Sequence, residues 1–285
     1  MDSVKISCNL AFFHRLAIIE VNYAVTINCC SESDLNNLIH LGSIIMPRYY
    51  YGFDTTYLFL VLPCIILSLW ASMNVRSTFN KYASKFASRR ITGAQAAQRV
   101  LQANGISNVR IEKISGQLTD HFDPRTNVIR LSDGVYDSTS IASIGVACHE
   151  AGHAVQHATQ YGPIKLRAAV IPVTNIGSRL AMPLILIGLL LSYLGNFSYT
   201  LVYIGIGCFA LTLLFELITL PVEFDASNRA IRAIDEYDML NSEEIKGAKK
   251  TLQAAALTYI AAAAVTLAQL LRLILLFGNR SRRRD

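Results

Sequence analysis

Charge is what this chain has least of. Only 16 % of its 285 residues are Asp, Glu, Lys or Arg, where soluble domains carry about 25 %. The shortfall falls in blocks, which argues against one unusually apolar core and for membrane spans. No stretch interleaves aromatic and basic side chains, so the net charge of +6 does not point to nucleic acid. The six cysteines (Cys8, Cys29, Cys30, Cys64, Cys148, Cys208) form no CxxC pair. No disulfide framework is expected from them, and they read as small hydrophobes. A small-residue cleavage site is missing after the apolar stretch Leu10–Ile27, which His14, Arg15, Glu20 and Asn22 interrupt. That stretch is neither a convincing signal peptide nor a good span.

What is present starts more regularly at Met46, a candidate translation start, so that residues 1–54 read as an N-terminal extension. Four apolar runs follow: 55–72, with Pro63 inside and Trp70 near an interface, then 180–194, 199–220 and 254–277. The second run is short for a span at about 15 residues, and the third is of comfortable length. Only the uncharged turn 195–198 separates them, so the pair predicts a helical hairpin through the bilayer. The fourth run carries Gln269 and Arg272 and leads into the arginine tail 278–285.

Between the runs lie two polar blocks, 75–179 and 221–253. In the first, Thr92-Gly93-Ala94-Gln95 is a capping-box pattern and Gly105 is placed to end the helix it starts. Val109–Ile114 alternates like a strand. Gln117–Phe122 and Asn127–Leu131 flank a turn-rich Asp123-Pro124-Arg125-Thr126 and predict a hairpin. Asn127–Leu131 either offers an edge to an extended peptide or only completes the sheet. Asp137-Ser138-Thr139-Ser140 then supplies N-cap candidates for a helix to about Thr159, stopped by Gly162-Pro163. The second block is helical in pattern, with Pro221 at a plausible first position.

The capped helix contains His149-Glu150-Ala151-Gly152-His153. HExxH on a helix puts both histidines on one face, one turn apart, where they can bind one Zn²⁺ with the glutamate as general base. A catalytic zinc needs a third protein ligand. His157 is eight residues from His149, about 12 Å along a helix at 1.5 Å per residue, too far to share one ion. It reads instead as orienting, substrate-facing or structural. Glu223 is the better candidate, because a hairpin over 180–220 returns it to the side of the HExxH helix. Its alternative is an ordinary first-turn glutamate favoured by the helix dipole. Glu216, an acid inside an apolar run, is the runner-up. His121, Tyr136, Tyr161 and Arg229 could each donate to a developing oxyanion.

Over roughly residues 50–277 the chain resembles the bacterial neutral zinc metallopeptidases of the YugP type. Ser68–Ser72, Leu118–Arg125, His149–His157 and Leu220–Ser227 carry the likeness. It implies a membrane-embedded zinc peptidase. A more distant likeness joins the chain to the HtpX and CAAX prenyl membrane proteases, in which a Glu-Phe-x-Ala-Asp motif supplies the third ligand. Glu223, Phe224 and Ala226 match that motif, and Ser227 replaces the aspartate that orients a zinc-bound histidine.

The expected molecule is an α-helical integral membrane protein of four spans with a small α+β, zincin-like peptidase domain. Its partners are the lipid bilayer and polypeptide substrates, and its cofactor is one Zn²⁺. The blocks 75–179 and 221–253 hold 13 and 5 Lys/Arg against none in 195–198. The positive-inside rule therefore places the catalytic block on the cytoplasmic side of a bacterial cell membrane. The competing readings are a metal-ion transporter and a zinc-stabilised scaffold without turnover.

Overall fold

The computed structural model describes residues 55–191 and 196–278. The extension 1–54, residues 192–195 (the end of the second apolar run and the start of the expected turn) and the arginine tail from residue 279 lie outside the described residues. A π-helical turn, Tyr57–Val61, leads into α1 (Leu62–Ala83); α2 (Gly93–Ala103), β1 (Arg110–Ile114), β2 (His121–Asp123) and β3 (Val128–Ser132) follow. Next come α3 (Asp133–Tyr136), α4 (Ile141–Ala158), α5 (Gly162–Leu190), α6 (Asn196–Glu236) and α7 (Ser242–Gly278). The described residues are mostly helical, with one small three-stranded sheet. Among the described residues four helices are long and apolar enough to cross a membrane: Tyr57–Ala83, Gly162–Leu190, Phe197–Glu236 and Ser242–Gly278.

The polar block folds where local signals direct it. Thr92 and Gln95 exchange the two hydrogen bonds of a capping box, and Gly105 follows α2 in the left-handed region at φ +67°. β2 and β3 pair antiparallel around a turn in which Asp123 accepts from the Arg125 N–H (3.0 Å) and the Thr126 hydroxyl (2.8 Å). β1 joins the other side of β3 in parallel, giving the order β1-β3-β2. Asn127–Leu131 therefore offers no free edge: its strand is the centre of the sheet. The edge nearest α4 belongs to β2, because a hairpin partner on one side and a parallel partner on the other use both of β3's rows of backbone groups. Ile129, Leu131, Ile144, Ile234, Met239 and Leu240 are fully buried in the core between sheet, α2, α4 and the ends of α6 and α7.

Helix limits differ from the apolar runs. Gly162-Pro163 does not only stop α4; Pro163 occupies the first turn of α5, where its missing N–H costs nothing. Residues 180–190 of the second run are thus the end of a helix of 29 residues. Pro221 does not start a helix either, but lies inside the 41-residue α6. Proline is tolerated inside such membrane helices because neighbouring groups re-satisfy the freed backbone. In α7, likewise, segments 242–253 and 254–277 form one rod. Hydropathy marks the lipid-facing part of a helix, whereas backbone hydrogen bonding continues beyond it.

The long helices pack closely. A side chain at Gly188 would meet the Ser198 carbonyl oxygen at 2.8 Å, so α5 and α6 approach backbone to backbone. Residues such as Ile66, Trp70, Ile176 and Leu190 remain largely exposed on the outside of the helices, as lipid-facing residues would. Glu216 does not face outward: it is buried in the α6–α7 seam, and Thr266 donates to its Oε1 at 2.9 Å.

Candidate metal centre

α4 starts with the N-cap Ser140, whose hydroxyl accepts from the Ser143 N–H at 3.1 Å, and its apolar face enters the core. On the opposite face the i, i+4 spacing brings the rings of His149 and His153 within 4.7 Å, edge to face. α6 crosses α4 at Gly152, where an added Cβ would stand 2.8 Å from the Ala226 carbonyl oxygen. That close approach carries Glu223 to the histidines. Its Oε2 lies 3.4 Å from His149 Nε2 and 3.5 Å from His153 Nε2. One donor atom from each of the three residues lies within 4.8 Å of the other two. Ligands at 2.0–2.2 Å in a tetrahedron stand about 3.3–3.6 Å apart, so both carboxylate–imidazole spacings and the two-nitrogen, one-oxygen donor set fit zinc. His157 and Glu216 are not in this group: the His157 ring packs edge-on against Phe122 at 5.9 Å, and Glu216 faces Thr266.

Each member of the trio is held from behind. Ser227 Oγ is 3.1 Å from His149 Nδ1. Gln156 is fully buried, and its Nε2 donates to the Val222 carbonyl and to Asp225 Oδ2, both at 2.8 Å. With its amide NH₂ committed to two acceptors, Gln156 turns Oε1 to His153 Nδ1 at 3.0 Å. An acceptor there requires Nδ1 to carry the proton, which leaves the lone pair of Nε2 facing Glu223. Asp225 thus holds Gln156, and it also accepts from Arg229 Nε at 2.6 Å. Arg229 in turn lies over the Tyr161 ring, 5.6 Å from its centre. Arg167, in the first half of α5, donates to Glu223 Oε1 at 3.3 Å, so Oε2 is the oxygen turned to the imidazoles. Neither Gln156 nor Arg167 was legible as a site residue. The only signal for Gln156 was its place one turn after His153.

Glu150 is buried on the same helix, and the Phe122 N–H of strand β2 donates to its Oε2 at 3.0 Å. Burial pushes its carboxyl up to about 7; His149 pulls it back, while Asp120 and Glu223 push the same way as burial. Burial also raises Asp120, which accepts from the backbone N–H and the hydroxyl of Ser132 at 2.7 and 3.0 Å and so anchors the start of β2. His121 follows it, with Nδ1 at 2.8 Å from the Thr119 carbonyl oxygen. Tyr136 packs against the core.

The arrangement has known counterparts. Residues 57–278 match a family described as "Putative neutral zinc metallopeptidase". The chain is 45 % identical over 223 residues to "Putative membrane protease YugP" of Bacillus subtilis (strain 168), covering 78 % of this chain and 97 % of that protein. No solved structure matches. With a donor trio of zinc spacing and a family match over most of its length, this chain is a membrane protein belonging to the neutral zinc metallopeptidase family.

Proposed function

We propose that the protein is a membrane-embedded zinc endopeptidase that hydrolyses polypeptides at the membrane surface. His149, His153 and Glu223 are its metal ligands and Glu150 its general base, a zincin-like arrangement built from blocks 75–179 and 221–253. The observation that carries the reading is the convergence of three zinc donors beside a buried glutamate on the same helix. Zn²⁺ would supply Lewis acidity, polarising the scissile carbonyl and making water acidic enough to attack near neutral pH.

The remaining work belongs to the chain. Glu150 takes a proton from the attacking water as its oxygen bonds to the carbonyl carbon; the C–N bond then breaks, and the same carboxyl delivers that proton to the leaving amine. The Phe122 N–H fixes one oxygen of Glu150, which keeps the other aimed. Ser227 orients His149 and Gln156 orients His153. Arg167 neutralises Glu223 and limits it to one ligating oxygen. His121 in strand β2 and His157 against Phe122 are substrate-side groups. The site is assigned to the cytoplasmic side of a bacterial cell membrane by the Lys/Arg excess of its two blocks.

Glu150→Gln tests the reading, since the amide keeps the shape and loses the base. Expected are unchanged zinc content and loss of casein cleavage by the purified full chain, about 10²–10⁴-fold, the range for general acid–base catalysis. Equal cleavage by variant and wild type would overturn the mechanism.

A further inference from the structure

Beside the candidate metal centre, α6 and α7 leave a groove of ≈ 500 Å³ between them. Phe224 on α6 and Leu257 and Ile260 on α7 line one end; Arg232 and Lys249 line the other, and Ser227 is in its wall. Phe224 and Ile260 are 40 % and 42 % exposed, so this end is open apolar surface. Among the described residues no carboxylate lines the groove. Its polarity is therefore that of an anionic amphiphile seen in negative: two positive charges at one end, apolar walls at the other.

The placement along α7 agrees. On α7 the apolar run begins at Ala254, five residues after Lys249, or about 7.5 Å at 1.5 Å per residue. The headgroup zone on each side of a bilayer is about 5–7 Å deep. On α7, Lys249 thus lies at the outer limit of that zone and Leu257 and Ile260 within the apolar run, while Arg232, which shares the groove with Lys249, is on the part of α6 beyond its own apolar run. We propose that this groove holds an anionic phospholipid of the surrounding leaflet, its phosphate between Arg232 and Lys249 and an acyl chain along Phe224, Leu257 and Ile260. Because Ser227 Oγ is 3.1 Å from His149 Nδ1, the bound lipid touches the residue behind a donor of the metal centre. The lipid site itself stands whether or not the chain cleaves peptides.

Native mass spectrometry of the full chain in detergent, titrated with phosphatidylglycerol and with phosphatidylcholine of the same acyl chains, decides it. Wild type is expected to retain phosphatidylglycerol preferentially. R232Q/K249Q should lose that preference by about thirtyfold, and R232K/K249R should keep it. Zinc titration of the same samples reports whether the fold persists in each variant. Equal retention of the two lipids by wild type, or an undiminished preference in R232Q/K249Q, would overturn the proposal. So would displacement by glycerol phosphate at the concentration of the whole lipid, which marks a phosphate site, or by an extended peptide, which marks a substrate cleft.

Discussion

Gln156 shows how much one buried amide can determine. Its NH₂ has two acceptors and its oxygen has one imidazole N–H, so no other orientation satisfies the group. Gln156→Glu keeps the size and the bond to His153 but sets a second oxygen against the Val222 carbonyl and the Asp225 carboxylate. Zinc affinity should fall about 10–100-fold, as for other groups that orient a metal-bound histidine. His157→Ala, which alters a ring packed on Phe122, should leave it within about twofold of wild type, a change under 0.5 kcal/mol. A competition titration with a chromophoric chelator measures both. Should His157→Ala strip the metal while Gln156→Glu retains it, the ligand assignment is wrong. The histidines and Glu150 were legible because HExxH needs only helical spacing. Glu223 was reachable through the argument that a hairpin must return. Gln156 and Arg167 were not, since a buried polar residue identifies itself by its partners, and those are 66 and 56 residues away.

α4 and α6 meet through a glycine, and that contact sets the distance from Glu223 to both imidazoles. Gly152→Ala places a methyl group against the Ala226 backbone oxygen, which cannot rotate away. The helices must separate, at about 1–3 kcal/mol for overpacking, and zinc affinity should drop with the melting temperature. Gly134→Ala is the control: nothing lies within 4 Å of its added carbon, so melting should shift by no more than about 0.5 kcal/mol equivalent. Thermal unfolding with and without zinc compares them. Equal melting temperatures for Gly152→Ala and wild type would mean that the crossing is looser than described. The capping box, α4 and the existence of the β2–β3 hairpin were legible because their signals are contiguous, although the first strand is only His121–Asp123 and not the expected Gln117–Phe122. The parallel pairing of β1 with β3 was not, because a parallel neighbour needs no turn and leaves no local mark. Helix ends in α5, α6 and α7 were misplaced for a related reason: apolar content reports the solvent around a helix, not its continuity.

In the molecule as a whole, the polar ends of α5, α6 and α7 gather with the sheet on one side of the apolar segments. Their lysines and arginines should keep that side cytoplasmic. With four spans, the tail after Gly278 then emerges on the opposite side, against the preference of its own arginines. Cysteine labelling with an impermeant reagent in intact cells, after removal of native cysteines, tests both halves: Ser84→Cys should be protected and Ser281→Cys labelled. Labelling at Ser84 would reverse the orientation, and protection at Ser281 would reduce the spans to three.

The bond between Glu216 and Thr266 also has a history in time. The acid precedes its hydroxyl by fifty residues, so on the ribosome α6 is complete well before its partner turn exists. Glu216 is four residues from the end of the apolar run at Leu220, so its cost on insertion stays below the about 2.5–3.5 kcal/mol of a charge at a span's centre. The apolar residues of α6 have to outweigh that cost, or the helix waits beside the translocon until α7 arrives. The two helices therefore enter the bilayer most readily as a pair, and a chain halted between them presents an unmet carboxyl to the cell's quality control. The candidate third donor, Glu223, stands seven residues after Glu216 on that same helix.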